Sequence, residues 1–196
     1  MRPKLKIGPL ISLQDARSCA AVGFDVISFS LARGSYRKLS ASTVWNMIQW
    51  LDGPAICLEL NADSLEELTE ARKQFEPAWI EAAWTERNAE WPAEFPLLLT
   101  ASLQELTPAD AAAWLNTRPN SYLQLSLPEA TLPAAWHALL PRLFLHLPEP
   151  ALAGNRFFLP GISPAGWALS TEWEEAPGEL DYQAIDDALE QLPLHA

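Results

Sequence analysis

The chain has 196 residues, of which 49% are apolar, and its 13 Lys and Arg against 25 Asp and Glu give a net charge of −12. These values predict one domain with a full apolar core, and the negative charge excludes a general nucleic-acid binder or a protein that docks on an anionic membrane. Two cysteines and three histidines are too few for a disulfide framework or a structural zinc site, and no apolar segment approaches the roughly 20 residues of a membrane-spanning helix. We therefore expect a single cytoplasmic domain over residues 1–196, without metal or cofactor.

Short apolar segments alternate with helical patterns along the chain. The predicted strands cover residues 4–7, 26–30, 55–60, 79–83, 96–100, 122–127 and 142–147. Predicted helices lie between them at 13–22, 40–50, 64–75, from 107 onwards and at 133–140, and a last helix covers 181–192. Ser12 and Ser40 stand at N-cap positions, and Ser64 opens a capping-box pattern. The connection from Thr85 to Phe95 leaves room for only a short helix.

The alternation of strands and helices indicates βαβ units and a parallel sheet. Eight such units fit a closed (β/α)8 barrel, and no G-x-G-x-x-G motif follows a strand, as a dinucleotide-binding fold would require. Because about 200 residues is the lower limit for this fold, we predict a compact, irregular TIM barrel with some shortened or missing helices. Two segments compete for the eighth strand. We prefer residues 167–171, with 157–159 replacing the preceding helix, over the alternative of residues 157–160.

Three segments carry a resemblance to a known family. K-I-G-P-L-I-S-L-Q-D-A at 6–16 is similar to K-I-C-G-I-T-N-x-E-D-A. S-F-S at 28–30 with S-Y-R-K-L-S at 35–40 is similar to G-F-x-F followed by S-x-R-x-[IV]-S, and S-T-E-W-E at 170–174 with P-G at 177–178 is similar to S-S-G-V-E-x-x-P-G. The chain thus resembles phosphoribosylanthranilate isomerase, a (β/α)8 enzyme of tryptophan biosynthesis. The resemblance implies a small-molecule site at the mouth of the barrel.

The departures from the family fall on the positions that carry its chemistry. The family's Amadori rearrangement needs a general base and a general acid that face each other across the barrel mouth, and the resemblance assigns these roles to a Cys and an Asp. In this chain Gly8 stands at the Cys position and Ser126 at the Asp position. At the family's phosphate loops, Glu149 follows the seventh strand where a Gly pair is expected, and Glu172 replaces a Gly. A carboxylate there would repel a phosphate dianion.

Two side chains of the family's site remain by resemblance. Arg37 would hold the carboxylate of a ligand, or it is a loop residue tied to a neighbouring acid. Ser170 lies on the former phosphate loop.

The inward face of the barrel offers further candidates. Lys6 and Gly8 are two residues apart on one strand, so both point to the same side, into the barrel. Lys6 therefore either lines a ligand pocket or pairs with Glu59 or Glu81, since a buried charge needs a partner. Glu81 is otherwise a candidate general base. His146, at a strand end, is either a new acid–base group or a hydrogen-bonded rim histidine.

Gly8 leaves space where the family has a thiol, and we expect an aromatic side chain or an ion pair of Lys6 to fill that space. Two functional hypotheses follow. The first is a pseudoenzyme, a binding or a regulatory protein with a small-molecule ligand at the barrel mouth. The second is an active isomerase, or an enzyme with new chemistry at the same mouth. The loss of both titratable groups, at Gly8 and Ser126, favours the first.

Overall fold

The computed structural model describes residues 2–61, 64–85, 90–127, 131–147, 162–171, 174–176 and 179–192. Within this part of the chain, eight parallel strands form a closed barrel and follow one another in chain order. They are β1 Lys4–Ile7, β2 Val26–Ser30, β3 Ala55–Glu59, β4 Trp79–Ala83, β5 Leu97–Ser102, β6 Tyr122–Ser126, β7 Leu143–Leu147 and β8 Gly166–Leu169. The prediction of a TIM barrel is confirmed.

The strand that closes the barrel is β8. It pairs in parallel with β7, where Phe144 lies opposite Gly166, and with β1, where Lys6 lies opposite Ala168. The preferred segment, 167–171, is therefore the eighth strand, displaced by one or two residues from the predicted bounds. Residues 157–160 lie outside the described part of the chain, and the barrel closes without them.

Five α-helices lie among the described residues: α1 Leu13–Val22, α2 Ala41–Ile48, α3 Leu65–Phe75, α4 Pro108–Asn116 and α5 Tyr182–Gln191. The hydroxyl groups of Ser12, Ser40 and Ser64 each accept a hydrogen bond from a backbone N–H three residues later, as N-caps do. The helix predicted to reach residue 50 ends at Ile48. The N–H groups of Trp50 and Leu51 there donate to the carbonyls three residues earlier, which tightens the chain into a turn.

The segment before β7 is a 3-10 helix, Ala134–Arg142, where an α-helix over 133–140 was predicted. Pro141 inside it has no N–H to donate, and no side chain caps its first turn. The connection between β4 and β5 is a series of turns over residues 90–95, and residues 86–89 lie outside the described part. These shortened connections are how a chain of this length accommodates eight strands.

Alternate residues of each strand separate an outer core from a barrel interior. The outward residues, such as Leu58, Leu123 and Leu125, pack in the large core beneath the helices. Inward residues at the amino ends of the strands form a second apolar cluster: Val26, Cys57, Trp79, Leu98 and Phe144. This cluster is the floor of the barrel, and the rings of Trp79 and Phe144 meet edge to face there.

After β8 the chain forms a short antiparallel pair, Glu174–Ala176 with Glu179–Leu180, which the sequence analysis did not predict. α5 follows at once, with Asp181 as its N-cap. None of the helices in the described ranges has both the length and the apolar character needed to cross a bilayer.

Candidate functional site

Above the apolar floor, the inward face of the barrel becomes polar toward the carboxyl ends of the strands. Each of these side chains alternates with an outward core residue: Gln124 lies between Leu123 and Leu125, for example, and Glu59 follows Leu58. The inward polar set is Lys6, Ser28, Ser30, Glu59, Glu81, Thr100, Gln124, Ser126, His146 and Ser170. This end of a TIM barrel is where such folds carry their sites.

Lys6 and Glu81 form the polar centre of this interior. Lys6 Nζ lies 3.0 Å from both Oε1 and Oε2 of Glu81. Ser28 Oγ donates a third hydrogen bond to Glu81 Oε2, at 3.0 Å. Lys6 is 2% exposed and Glu81 8% exposed, so the pair is shielded from water. The predicted pairing of Lys6 with an inward acid is confirmed, and both oxygens of Glu81 are engaged.

The thiol of Cys57 also faces this carboxylate. Cys57 Sγ lies 3.7 Å from Glu81 Oε2, and burial, with the nearby negative charge of Glu81, raises the pKa of Cys57 well above its usual value. The thiolate is the reactive form of cysteine. Cys57 is therefore an inert part of the interior.

His146 and Ser126 meet at the ends of β7 and β6. Ser126 Oγ lies 3.3 Å from His146 Nδ1. Burial, and to a smaller extent the positive charge of Lys6, lower the pKa of His146 to about 4, against the opposing effect of the negative charge of Glu81. An imidazole with so low a pKa is a poor base at neutral pH. The pair therefore fits a hydrogen-bonded rim histidine and does not activate Ser126 as a nucleophile.

Gly8 lies just beyond the end of β1, against β2. Its φ of +143° falls in a region that side chains avoid, and a Cβ built there would stand 2.6 Å from Ser28 Cβ and 2.7 Å from the Ser28 carbonyl oxygen. The atoms nearest to this position belong to neither of the two expected occupants, an aromatic side chain or an ion pair of Lys6. Ser28 itself occupies the space, while the Lys6–Glu81 pair lies in the adjoining interior.

Arg37 lies at the rim, and its guanidinium is bonded to the main chain. Nη2 donates to the carbonyl of Thr171 at 2.6 Å, and Nη1 to that of Pro9 at 3.4 Å. Thr171 Oγ1 donates to the same Pro9 carbonyl at 3.0 Å. Arg37 is 3% exposed and ties together the loops that follow β1, β2 and β8.

Three inward groups differ from the rest because they have no hydrogen-bond partner. Among the described residues, Glu59 Oε2, Gln124 Oε1 and Ser170 Oγ are buried side-chain oxygens without a partner. The sequence predicts Ser170 as a ligand contact and Glu59 only as a possible partner of Lys6, and Gln124 was not predicted. The parity argument used for Lys6 would have found Gln124, because Gln124 alternates with two outward leucines of β6.

The arrangement limits the chemistry that the described residues can perform. No group of three or more His, Cys, Asp and Glu side chains among them could hold a metal ion. Glu149 and Glu172, expected near a former phosphate loop, lie outside the described part of the chain. What the mouth does present is a set of hydrogen-bonding groups above a fixed ion pair.

The chain shares its fold with solved structures of phosphoribosylanthranilate isomerases. That of Thermus thermophilus aligns with a TM-score of 0.73 at 21% identity, over 96% of this chain and 97% of that one. That of Thermococcus kodakaraensis aligns at 0.68 and 16%, over 98% and 100%. A complex of such an isomerase with reduced 1-(o-carboxyphenylamino)-1-deoxyribulose 5-phosphate aligns at 0.72 and 16%, over 96% and 97%. No protein-family model and no curated protein sequence matches the chain.

Proposed function

We propose that this chain is a single-domain, phosphoribosylanthranilate isomerase-like barrel without isomerase activity, which binds a small molecule at its mouth. The observation that carries the proposal is the environment of Gly8. This position, which by resemblance holds the general base, has no side chain and no space for one, because Ser28 lies 2.6 Å from where a Cβ would be. Position 8 therefore has neither a general base nor the space for one.

The position of the general acid supports the same conclusion. The hydroxyl of Ser126 does not protonate a sugar-ring oxygen at neutral pH, and its neighbour His146 has a pKa lowered to about 4 by burial. A general acid and a general base each contribute roughly 10²–10⁴-fold to a rate. The loss of both removes most of the acceleration that this reaction needs.

The chain is also poorly suited to bind the family's anionic substrate. The guanidinium of Arg37 would hold the anthranilate carboxylate by resemblance, but its Nη groups donate to the carbonyls of Pro9 and Thr171. A bidentate grip on a carboxylate needs such donors to be available. The net charge of −12 also disfavours the capture of an anionic substrate.

A binding function fits the groups that remain. The interior keeps polar side chains above an apolar floor, and a pocket with a few convergent polar groups is the usual form of a small-molecule site. A pseudoenzyme or regulatory protein uses such a site for recognition without turnover.

Complementation of a tryptophan auxotroph that lacks the isomerase tests the proposal. We expect no growth without tryptophan when this chain is expressed, while an active isomerase expressed from the same vector restores growth. Growth that depends on this chain and is lost in the Ser126→Ala variant would overturn the proposal.

A further inference from the structure

The three unpartnered groups, Glu59, Gln124 and Ser170, all project into the barrel interior. Gln124 is 8% exposed and lies deepest, on β6. Glu59 ends β3, and Ser170 follows β8, so both stand nearer the carboxyl ends of the strands. Exposure rises in the same direction: Ala83, at the end of β4, is exposed, whereas Gln124 is buried. The three groups therefore lie at different depths of the same barrel interior, with Gln124 the deepest.

Their lack of partners is unusual within this interior. Lys6 and Ser28 both donate to Glu81, and Ser126 bonds to His146. Buried polar side chains are as a rule hydrogen-bonded, and one without a partner destabilises the fold. The amide oxygen of Gln124 and one carboxylate oxygen of Glu59 have no such partner among the described residues, so both can accept a hydrogen bond from a ligand.

The charge of the interior indicates the kind of partner. Lys6 and Glu81 are matched with each other at 3.0 Å. That leaves Glu59, whose Oε2 is buried and unpartnered, as the acid whose charge no described side chain offsets at hydrogen-bond distance. The Gln124 and Glu59 oxygens both accept hydrogen bonds. A ligand that donates from nitrogen and carries positive charge satisfies both, whereas a phosphate or carboxylate would face a like charge.

Two of the inward neighbours of these groups are small. Ala168 shares a layer of the barrel with Gln124, and Gly8 shares a layer with Glu59, as the strand register sets them. One of these neighbours projects a methyl group and the other no side chain. At these two levels, the nearby strands β8 and β1 therefore place no large side chain beside the unpartnered oxygens of Gln124 and Glu59.

We propose that the mouth of this barrel binds a small organic cation with N–H donors, an amine or a guanidine, through Glu59 and Gln124, with Ser170 as a further hydrogen-bonding group. The inference rests on the proposed binding function of the same site and names the class of its ligand. This cationic ligand differs from the anionic, phosphorylated ligand that the resemblance implies.

A first test needs no ligand. Gln124→Met and Glu59→Met replace an unpartnered polar group with an apolar one of similar length. We expect each variant to raise the Tm of the full-length protein by roughly 2–4 °C, because an unsatisfied group is removed. Glu81→Met is the matched control: it removes a partnered acid from the same interior and should lower the Tm. A fall in Tm for both Gln124→Met and Glu59→Met would mean that the two groups stabilise the fold, and would overturn the inference.

A second test uses agmatine as the cationic probe and ribose 5-phosphate as the anionic one, in calorimetric titrations of the purified protein. We expect agmatine to bind, with affinity reduced at least about tenfold in Glu59→Met and in Gln124→Met, and ribose 5-phosphate not to bind. Binding of ribose 5-phosphate without agmatine, no binding of agmatine, or agmatine binding that neither substitution weakens would overturn the ligand class. The auxotroph assay reports on the isomerase question separately, so the two proposals can fail independently.

Discussion

The ion pair in the barrel interior makes the fold dependent on single side chains. Glu81 is buried and receives hydrogen bonds from Lys6 and Ser28. Lys6→Met removes the cation and leaves the carboxylate without its charge partner in a dry environment. We expect a loss of about 3–5 kcal/mol in the free energy of unfolding, measured by urea denaturation.

The double variant Lys6→Met with Glu81→Leu is the control for this prediction. Replacing a whole buried pair by apolar side chains is often neutral, so the double variant should recover most of the loss. A Lys6→Met protein within about 1 kcal/mol of the parent would show that Glu81 does not depend on Lys6.

His146 gives the protein a predicted pH dependence. Its pKa is about 4 in the fold against 6.5 for a histidine in the unfolded chain. Between these values the unfolded chain binds a proton that the folded chain does not, so stability falls as the pH falls from about 6.5 to about 4. Over this whole pH range, His146 lowers the free energy of unfolding by roughly 3 kcal/mol.

Urea denaturation at pH 7 and pH 4.5 measures this effect. His146→Gln should reduce the stability lost between the two pH values, whereas His137→Gln, at an exposed position, should leave that loss unchanged. An equal loss in the parent and in His146→Gln would contradict the prediction.

Among individual side chains, parity along a strand was the informative signal. It placed Lys6 inside the barrel, and the need of a buried charge for a partner then predicted the pair with an acid such as Glu81. Parity does not tell which inward groups come within hydrogen-bond distance, because that depends on how the strands are staggered around the barrel. Alternation along β6 also points Gln124 inward, but it could not show that Gln124 Oε1 has no hydrogen-bond partner there. Arg37 was also not resolved, since its partners are backbone carbonyls 28 and 134 residues away along the chain.

At the scale of elements, the end of β1 differs from what the resemblance implies, because Gly8 stands there in place of a Cys. Gly8→Ala should destabilise the protein for two reasons: an unfavourable φ of +143° and a contact of 2.7 Å with the Ser28 carbonyl. Gly53→Ala is a matched control, because Gly53 also has a positive φ, +101°, but nothing within 4 Å of its Cβ position. We expect Gly8→Ala to cost about 1–3 kcal/mol more than Gly53→Ala in urea denaturation. Equal costs would mean that β2 yields to a side chain at position 8.

The positions of the elements were more predictable than their type. Each strand came within two residues of its predicted bounds, because apolar segments of four to six residues recur between cap and turn signals. The 3-10 helix at Ala134–Arg142 was predicted as an α-helix, since its apolar spacing suits either form. The antiparallel pair at Glu174–Ala176 carries no alternation of apolar residues and so gave no signal.

For the molecule as a whole, the fold matches that of the isomerases, but the side chains at the family's acid and base positions differ. The barrel matches phosphoribosylanthranilate isomerases over almost its full length, yet at 21% identity or below among the structures compared above. One fold supports many activities, and activity depends on the side chains of the site. Here the two positions that by resemblance carry acid–base chemistry hold Gly8 and Ser126, and a buried ion pair of Lys6 and Glu81 lies in the interior beneath them.

The turnover of phosphoribosylanthranilate by the purified protein tests the central claim most directly. The loss of substrate fluorescence is followed at increasing protein concentration, with an active isomerase as the positive control. We predict a rate equal to that of buffer alone at every concentration, because neither a general base at position 8 nor a general acid at position 126 is present. A rate that rises in proportion to protein concentration, and falls in the Ser126→Ala variant, would contradict the claim.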